Sequence, residues 1–203
     1  VLYQTDCPIA VHLKFLVMKT IRSIQAIFIA IAAIIYVPFL NKKNVSLIKE
    51  DFKHFTNWKS LSYTLWSFFI VFASYKEFRS VVYKRLGKIW ILTSWIIKGQ
   101  DCLYICTKDI EGGLIIQHGF STIINAKKIG KNCHIYQQVT IGFNGTESPI
   151  IGDNVRICCG AKVIGGIHVG NNVVIGANAV VCKDIPDNVV VAGVPAKIIR
   201  NLQ

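Results

Sequence analysis

From Ile129 onward an aliphatic residue returns every six positions. The leading residues are Ile129, Ile135, Ile141, Ile151, Ile157, Val163, Val169, Ile175 and Val181. The fifth residue of each unit is small or aliphatic as well: Cys133, Val139, Val155, Ala161, Ile167, Val173, Ala179 and Ile185. A helix repeats near 3.6 and a half-buried strand at 2, so neither gives a period of six. Six is the period of a β-helix, in which each unit is a short strand plus a turn and three units close one triangular coil. The leading aliphatic residue then points into the prism. Asn132, Asn154, Asn171 and Asn172 fall at corners, where Asn tolerates the backbone that a turn needs. Weaker units begin at Ile110, Ile116 (seven residues long) and Ile123, which gives about twelve units, or about four coils. Between Ile141 and Ile151 the spacing stretches to ten. The extra residues bulge around Phe143–Pro149, and such interruptions of a solenoid tend to line a binding face.

The chain has 203 residues, room for one domain or two small ones. With 52% apolar and 17% charged residues it is not a disordered chain. Its charge is uneven. Residues 1–100 hold 14 Lys/Arg against 4 Asp/Glu, and residues 101–203 hold 9 against 7. A basic, apolar N-terminal half points to a solvated basic face or to a membrane surface. Nucleic acid is excluded as a partner because no binding motif accompanies the charge. Seven cysteines without regular spacing argue against a disulfide framework and for a reducing, cytoplasmic setting. No zinc spacing is present, and no metal is expected.

Three regions follow. Residues 1–45 are unassigned; Ile24 to Leu40 is an apolar run flanked by Lys19, Arg22, Lys42 and Lys43, read as a membrane anchor, a buried helix or mis-started sequence. Residues 46–100 read as α-helical, opening at Ser46, with Phe78, Val81, Val82, Arg85, Leu86 and Ile89 at helical spacing. Residues 101–203 form the β-helix. The expected fold class is mixed α + β.

The segments GGLIIQHGFSTIINAKKIGKNCHIYQQVTIG (112–142), IIGDNVRICCGAKVIGGIHVGNNVVIGANAVV (150–181) and KDIPDNVVVAGVPAKIIR (183–200) resemble the left-handed parallel β-helix acyltransferases. Within these the chain is most similar to the serine O-acetyltransferase family, in particular to the shorter relatives encoded with surface-polysaccharide genes. The resemblance implies acetyl transfer from acetyl-CoA to the hydroxyl of L-serine, giving O-acetylserine and CoA. It also implies a homotrimer with sites between neighbouring prisms, and it leaves open a pairing of trimers. The family's catalytic base falls on His118. By the same resemblance Cys159, Gly160, Ala177, Cys182, Lys183, Lys197 and Arg200 fall on CoA-binding positions. Gln117, Glu147 and Ser148 fall near the acceptor.

The chemistry of His118 follows from the residue itself. An alcohol is a poor nucleophile at neutral pH, and a His titrating near 6.5 is the usual base. Register also selects it. Units three apart lie on one face at roughly 4.8 Å spacing, which aligns His118 with 136–140, 158–162 and 176–180. Lys197 and Arg200 suit polyanionic CoA.

The chain departs from the family pattern at three places. Ser148 stands where the family has a second His, Gln117 stands where Asp is usual, and no clean match exists for the Asp that orients the base; Asp101 and Asp109 are the candidates. These departures favour a second reading, an O- or N-acetyltransferase acting on a sugar in surface-polysaccharide synthesis at the inner face of the membrane. A third reading is a structural trimer without catalysis. His134 and His168 are expected to be ordinary exposed residues on faces other than that of His118.

Overall fold

The structure, a computed structural model, describes residues 41–90 and 97–202, with isolated positions at 20, 21, 23, 24, 27 and 94. The apolar run 24–40 therefore lies almost wholly outside the described residues.

Three helices come first. Helix α1 spans Lys42–Lys59, and the side chain of its N-cap Asn41 accepts from the Lys43 backbone N–H. It stops at Ser60, whose left-handed backbone (φ 54°) lets its N–H reach back to the carbonyls of Asn57 and Thr56. Helix α2, Leu65–Ser74, opens with a capping box between Thr64 and Ser67. Helix α3 spans Lys76–Leu86, with Glu77 in its first turn and Lys84 and Arg85 in its last, matching the helix dipole at both ends. Phe52, Phe55, Val71, Phe72, Phe78, Val82 and Tyr83 form the core of this layer.

The remainder is a parallel solenoid of short strands: β1 Leu103–Ile105, β2 Asp109–Ile110, β3 Ile115–Ile116, β4 Thr122–Ile124, β5 Lys128–Ile129, β6 His134–Ile135, β7 Thr140–Gly142, β8 Ile150–Ile151, β9 Arg156–Ile157, β10 Lys162–Ile164, β11 His168–Val169, β12 Val174–Ile175, β13 Val180–Val181 and β14 Val189–Ala192. They stack into three sheets. The first holds β1, β4, β7, β10 and β13, and the second holds β2, β5, β8 and β11. The third holds β3, β6, β9, β12 and β14, with β15 (Lys197–Asn201) antiparallel at its edge. Successive strands go to different sheets, which is the three-unit coil read from the hexads. There are about five turns, close to the four expected.

The inward positions are fully closed: Ile129, Ile135, Ile141, Ile157, Val163, Val169 and Ile175 have 0% exposure. Burying each such side chain is worth about 1.5–3 kcal/mol. One polar residue at any of these positions would break the column. At the corner between the second and third sheets the side chains of Asn132, Asn154, Asn172 and Asn188 form a ladder, each donating to the next at 2.8–3.3 Å. All four have positive φ, between 54° and 60°, and each adds an inter-turn hydrogen bond that no other residue type at that backbone would supply as readily.

The helices are bolted to the first turn of the solenoid. Asp51 of α1 accepts from Arg85 Nε at 2.9 Å and from the Leu114 backbone N–H at 2.8 Å. Arg85 of α3 also donates to the carbonyls of Ile110 and Glu111. Both charges are buried, and the remaining capacity of each is taken up by backbone, which is what a buried pair requires.

Candidate active site

The turn between β3 and β4 carries Gln117 and His118, at the corner between the third and first sheets. The sequence predicts a seven-residue unit ending before Ile123, but the inward residue that pairs with Ile141 is Ile124 (0% exposed), while Ile123 is 43% exposed. This unit therefore has eight residues, and its two extra ones widen this turn, where His118 (φ 63°), Gly119 (φ 58°) and Ser121 (φ 50°) all have left-handed backbone. Positive φ is costly for a non-glycine residue and is tolerated where the surrounding structure enforces it. The turn leaves the His118 side chain exposed. Its ring Nε2 lies 3.5 Å from Gln117 Nε2.

Strand register gives the groove. Ile116 pairs with Ile135, Ile135 with Ile157, and Ile157 with Ile175. Two residues on from the last three, Gln137, Cys159 and Ala177 stand in one column. The Gln138 N–H donates to the Phe120 carbonyl and sets Phe120 at its next level, so His118 lies in the widened turn at the foot of that column on the same corner. Three turns at about 4.8 Å give a span of roughly 14 Å from His118 to Ala177. The next level is Gly193, because Ile175 pairs with Val191. There the chain turns back, and Lys197 pairs with Ala192. An exposed imidazole at one end, Cys159, Gly160 and Ala177 along the wall and Lys197 at the other end share this corner. Gly160 has φ 73°, and a Cβ there would collide with the Asn178 side-chain oxygen, so only glycine fits this part of the wall. Gln137 was not singled out from the sequence, although its register already placed it here. Its Oε1 is buried without a hydrogen-bond partner among the described residues, which leaves an acceptor on this corner.

The other candidates lie elsewhere. Phe143–Pro149 leaves the corner between the first and second sheets as a small hairpin, closed by an Asn144–Glu147 bridge and turned at Gly145. Glu147 is exposed and Ser148 half-buried, both at this second corner. Val163 pairs with Val181, so Cys182 and Lys183 continue the same corner two turns further along. Arg200 pairs with Val190, one strand length along β15 from Lys197. A single chain thus brings His118, Gln117, Cys159, Gly160, Ala177 and Lys197 together. It holds Glu147, Ser148, Cys182 and Lys183 across the width of the first sheet.

Neither candidate carboxylate touches His118. Asp101 stands one turn before it at the same corner, 3.6 Å from Lys76 Nζ. Asp109 is in β2, on a different sheet. His168 is exposed, as expected. His134 is not. It lies in the third sheet, the sheet that leads into His118, and is only 7% exposed. The Tyr136 ring stacks on it at 4.6 Å and Trp58 of α1 covers it at 4.9 Å. The hexad pattern could not show this because the covering residue comes from a helix 76 positions away (134 − 58). Burial, with Arg156, His54 and Lys59 nearby, lowers its pKa to about 4. Among the described residues no group of three or more His, Cys, Asp or Glu side chains could hold a metal ion. Nor is any helix there long and apolar enough to cross a membrane.

Residues 148–183 match the family described as bacterial transferase hexapeptide, six repeats. Over 92 residues the chain is 42% identical to a serine acetyltransferase of Synechococcus elongatus, covering 43% of this chain and 38% of the relative. Over 143 residues it is 36% identical to a serine acetyltransferase of Staphylococcus epidermidis, covering 68% and 64%. The chain thus spans about two-fifths of the first of these relatives and under two-thirds of the second. Among solved structures, the Neisseria gonorrhoeae serine acetyltransferase superposes with a TM-score of 0.63 at 24% identity, over 80% of this chain and 67% of that one; it speaks for the fold alone. The Brucella abortus strain S19 enzyme in complex with coenzyme A gives a TM-score of 0.63 at 26% identity, over 80% and 70%.

Proposed function

We propose that this protein transfers the acetyl group of acetyl-CoA to the hydroxyl of L-serine, giving O-acetylserine and CoA. The observation that carries the reading is that His118 shares one corner of the prism with the column of Gln137, Cys159 and Ala177. Similarity to the serine acetyltransferases of Synechococcus and Staphylococcus supports it.

In this reading His118 takes the proton of the serine hydroxyl as the oxygen attacks the thioester carbonyl. The tetrahedral adduct collapses, the carbon–sulfur bond breaks, and the imidazolium returns the proton to the departing thiolate. Both substrates sit side by side, so no covalent enzyme intermediate is required. Cys159, Gly160 and Ala177 flank the pantetheine arm, and Lys197 and Arg200 meet the nucleotide phosphates. Gln117, Glu147 and Ser148 face the acceptor, and Cys182 and Lys183 the far side of the arm.

These two sets occupy different corners of one prism, so a complete site needs a neighbouring copy, and we assign a homotrimer. The exposed Tyr104, Phe120, Ile123 and Phe143 around the first sheet suit such a contact. We place the enzyme in the cytoplasm with its basic N-terminal half at the inner face of the membrane. The test is thiol release from acetyl-CoA with L-serine and, in parallel, a panel of nucleotide sugars. Turnover on serine alone supports the reading. Turnover on a sugar and none on serine replaces it with the second reading, a sugar acetyltransferase of the polysaccharide-cluster type, which Ser148 and Gln117 favour.

A further inference from the structure

The loop joining α1 to α2 has an unusual surface. Six consecutive residues, Leu61 to Trp66, are exposed, and four of them are large and apolar: Leu61 at 42%, Tyr63 at 51%, Leu65 at 75% and Trp66 at 47%. Half-buried Phe68, Phe69 and Ile70 continue the surface into α2. Isolated exposed apolar residues are ordinary, whereas a contiguous patch marks a contact.

Several polar groups of this segment are satisfied from within. The Leu61 N–H donates to the Thr56 carbonyl at 2.9 Å and the Ser60 N–H to the Asn57 carbonyl at 3.2 Å. The Thr64 N–H donates to Ser67 Oγ at 2.9 Å and the Ser67 N–H to Thr64 Oγ1 at 3.1 Å. Ser67 Oγ also reaches the Ser62 carbonyl at 2.6 Å. Each donor closed in this way lowers the desolvation cost of entering an apolar medium. Tyr63 is braced against Phe52, ring centroids 5.1 Å apart, so the patch is presented on a packed base.

Charge selects the occupant. No Asp or Glu occurs from residue 52 to residue 76; Lys59 and Lys76 flank the patch in the chain, Lys76 lying 3.6 Å from Asp101. Lys59 Nζ rests 4.0 Å from the Trp58 ring centroid, at the C-terminal end of α1. Trp and Tyr beside Lys, with apolar side chains projecting between them, is the composition of a membrane-interface segment. A second copy of this basic layer would bring like charges together, whereas an anionic bilayer complements them.

We infer that the Leu61–Trp66 segment, the α1–α2 loop with the first turn of α2, inserts its apolar side chains into the interface of an anionic lipid bilayer, with Lys59 at headgroup level. This rests on the membrane contact proposed above and assigns it to one loop.

The experiment is co-sedimentation of the full chain with phosphatidylcholine vesicles, with and without phosphatidylglycerol. Wild type is compared with the double variant Leu65→Ser/Trp66→Ser. Both positions are exposed, so unchanged circular dichroism and melting verify the fold. Wild type is expected to sediment with the anionic vesicles, and the double variant to lose binding by about tenfold or more. Trp66→Phe is expected to remove most of the tryptophan quenching by brominated lipid. If wild type binds no vesicle, the whole membrane reading falls. If wild type and double variant bind equally, the loop assignment alone falls. If the substitutions leave lipid binding intact but reduce the oligomer in sedimentation velocity, the patch is a contact between copies of the chain and the inference is overturned.

Discussion

Arg85 Nε lies 2.9 Å from Asp51 Oδ2, with both side chains buried where two helices meet the first turn of the solenoid. Arg85 Nη2 is 3.2 Å from the other carboxylate oxygen, so the contact is bidentate. Asp51 also receives the Leu114 N–H, one residue before β3, the strand that runs into Gln117 and His118. One ion pair thus ties α1, α3 and the start of the candidate site together. Removing either partner strands a buried charge. Arg85→Ala or Asp51→Ala is expected to cost about 3–5 kcal/mol in urea unfolding. Replacing one partner without loss of stability would show that the pair does not hold the layers together.

His134 predicts a pH dependence. Its folded pKa, about 4, lies below the ordinary value of 6.5. The unfolded chain therefore takes up this proton first as pH falls. The stability contribution is complete above pH 6.5, is lost as pH falls from there towards 4, and changes no further below. The total is on the order of 3 kcal/mol. His134→Phe retains a ring between Trp58 and Tyr136 and removes the titration. Unfolding free energies of wild type and variant should diverge between pH 7 and 4.5, with wild type losing more; parallel curves would contradict the burial of this ring.

The thiols should separate by burial. Cys102, Cys106 and Cys182 are exposed, whereas Cys133 is buried with its pKa pushed up to about 12. The thiolate is the reactive form. A maleimide followed by peptide mass mapping should label the three exposed cysteines within minutes and Cys133 only after unfolding. Early labelling of Cys133 would mean the solenoid interior opens in the native state.

Gln137 stands on the same corner as His118 and Cys159, and we propose that its Oε1, which has no hydrogen-bond partner among the described residues, accepts from a bound substrate. Gln137→Leu is similar in volume and removes that acceptor without opening the prism wall. The expected result is a rise of about tenfold in KM for one substrate, from a lost hydrogen bond to a bound ligand, with melting temperature unchanged. Equal KM values for both substrates in wild type and variant would remove Gln137 from the site.

The solenoid was legible because its determinant is local and repeated. An inward Ile or Val every six residues states the coil directly, and counting three units forward from Ile116 finds Ile135, Ile157 and Ile175. Small residues at Gly160 and Ala177 could be read the same way. What was not legible comes from contacts between distant segments. Trp58 over His134 and Asp51 against Leu114 depend on how a helical layer docks on the third sheet, which no period encodes.

The most direct measurement is the steady-state rate of thiol release from acetyl-CoA in the presence of L-serine, for wild type and His118→Ala at matched oligomeric state. A general base is expected to contribute about 10²–10⁴-fold. The account predicts a loss of kcat in that range with KM for acetyl-CoA nearly unchanged and the same melting temperature. A variant that turns over serine at the wild-type rate would contradict it.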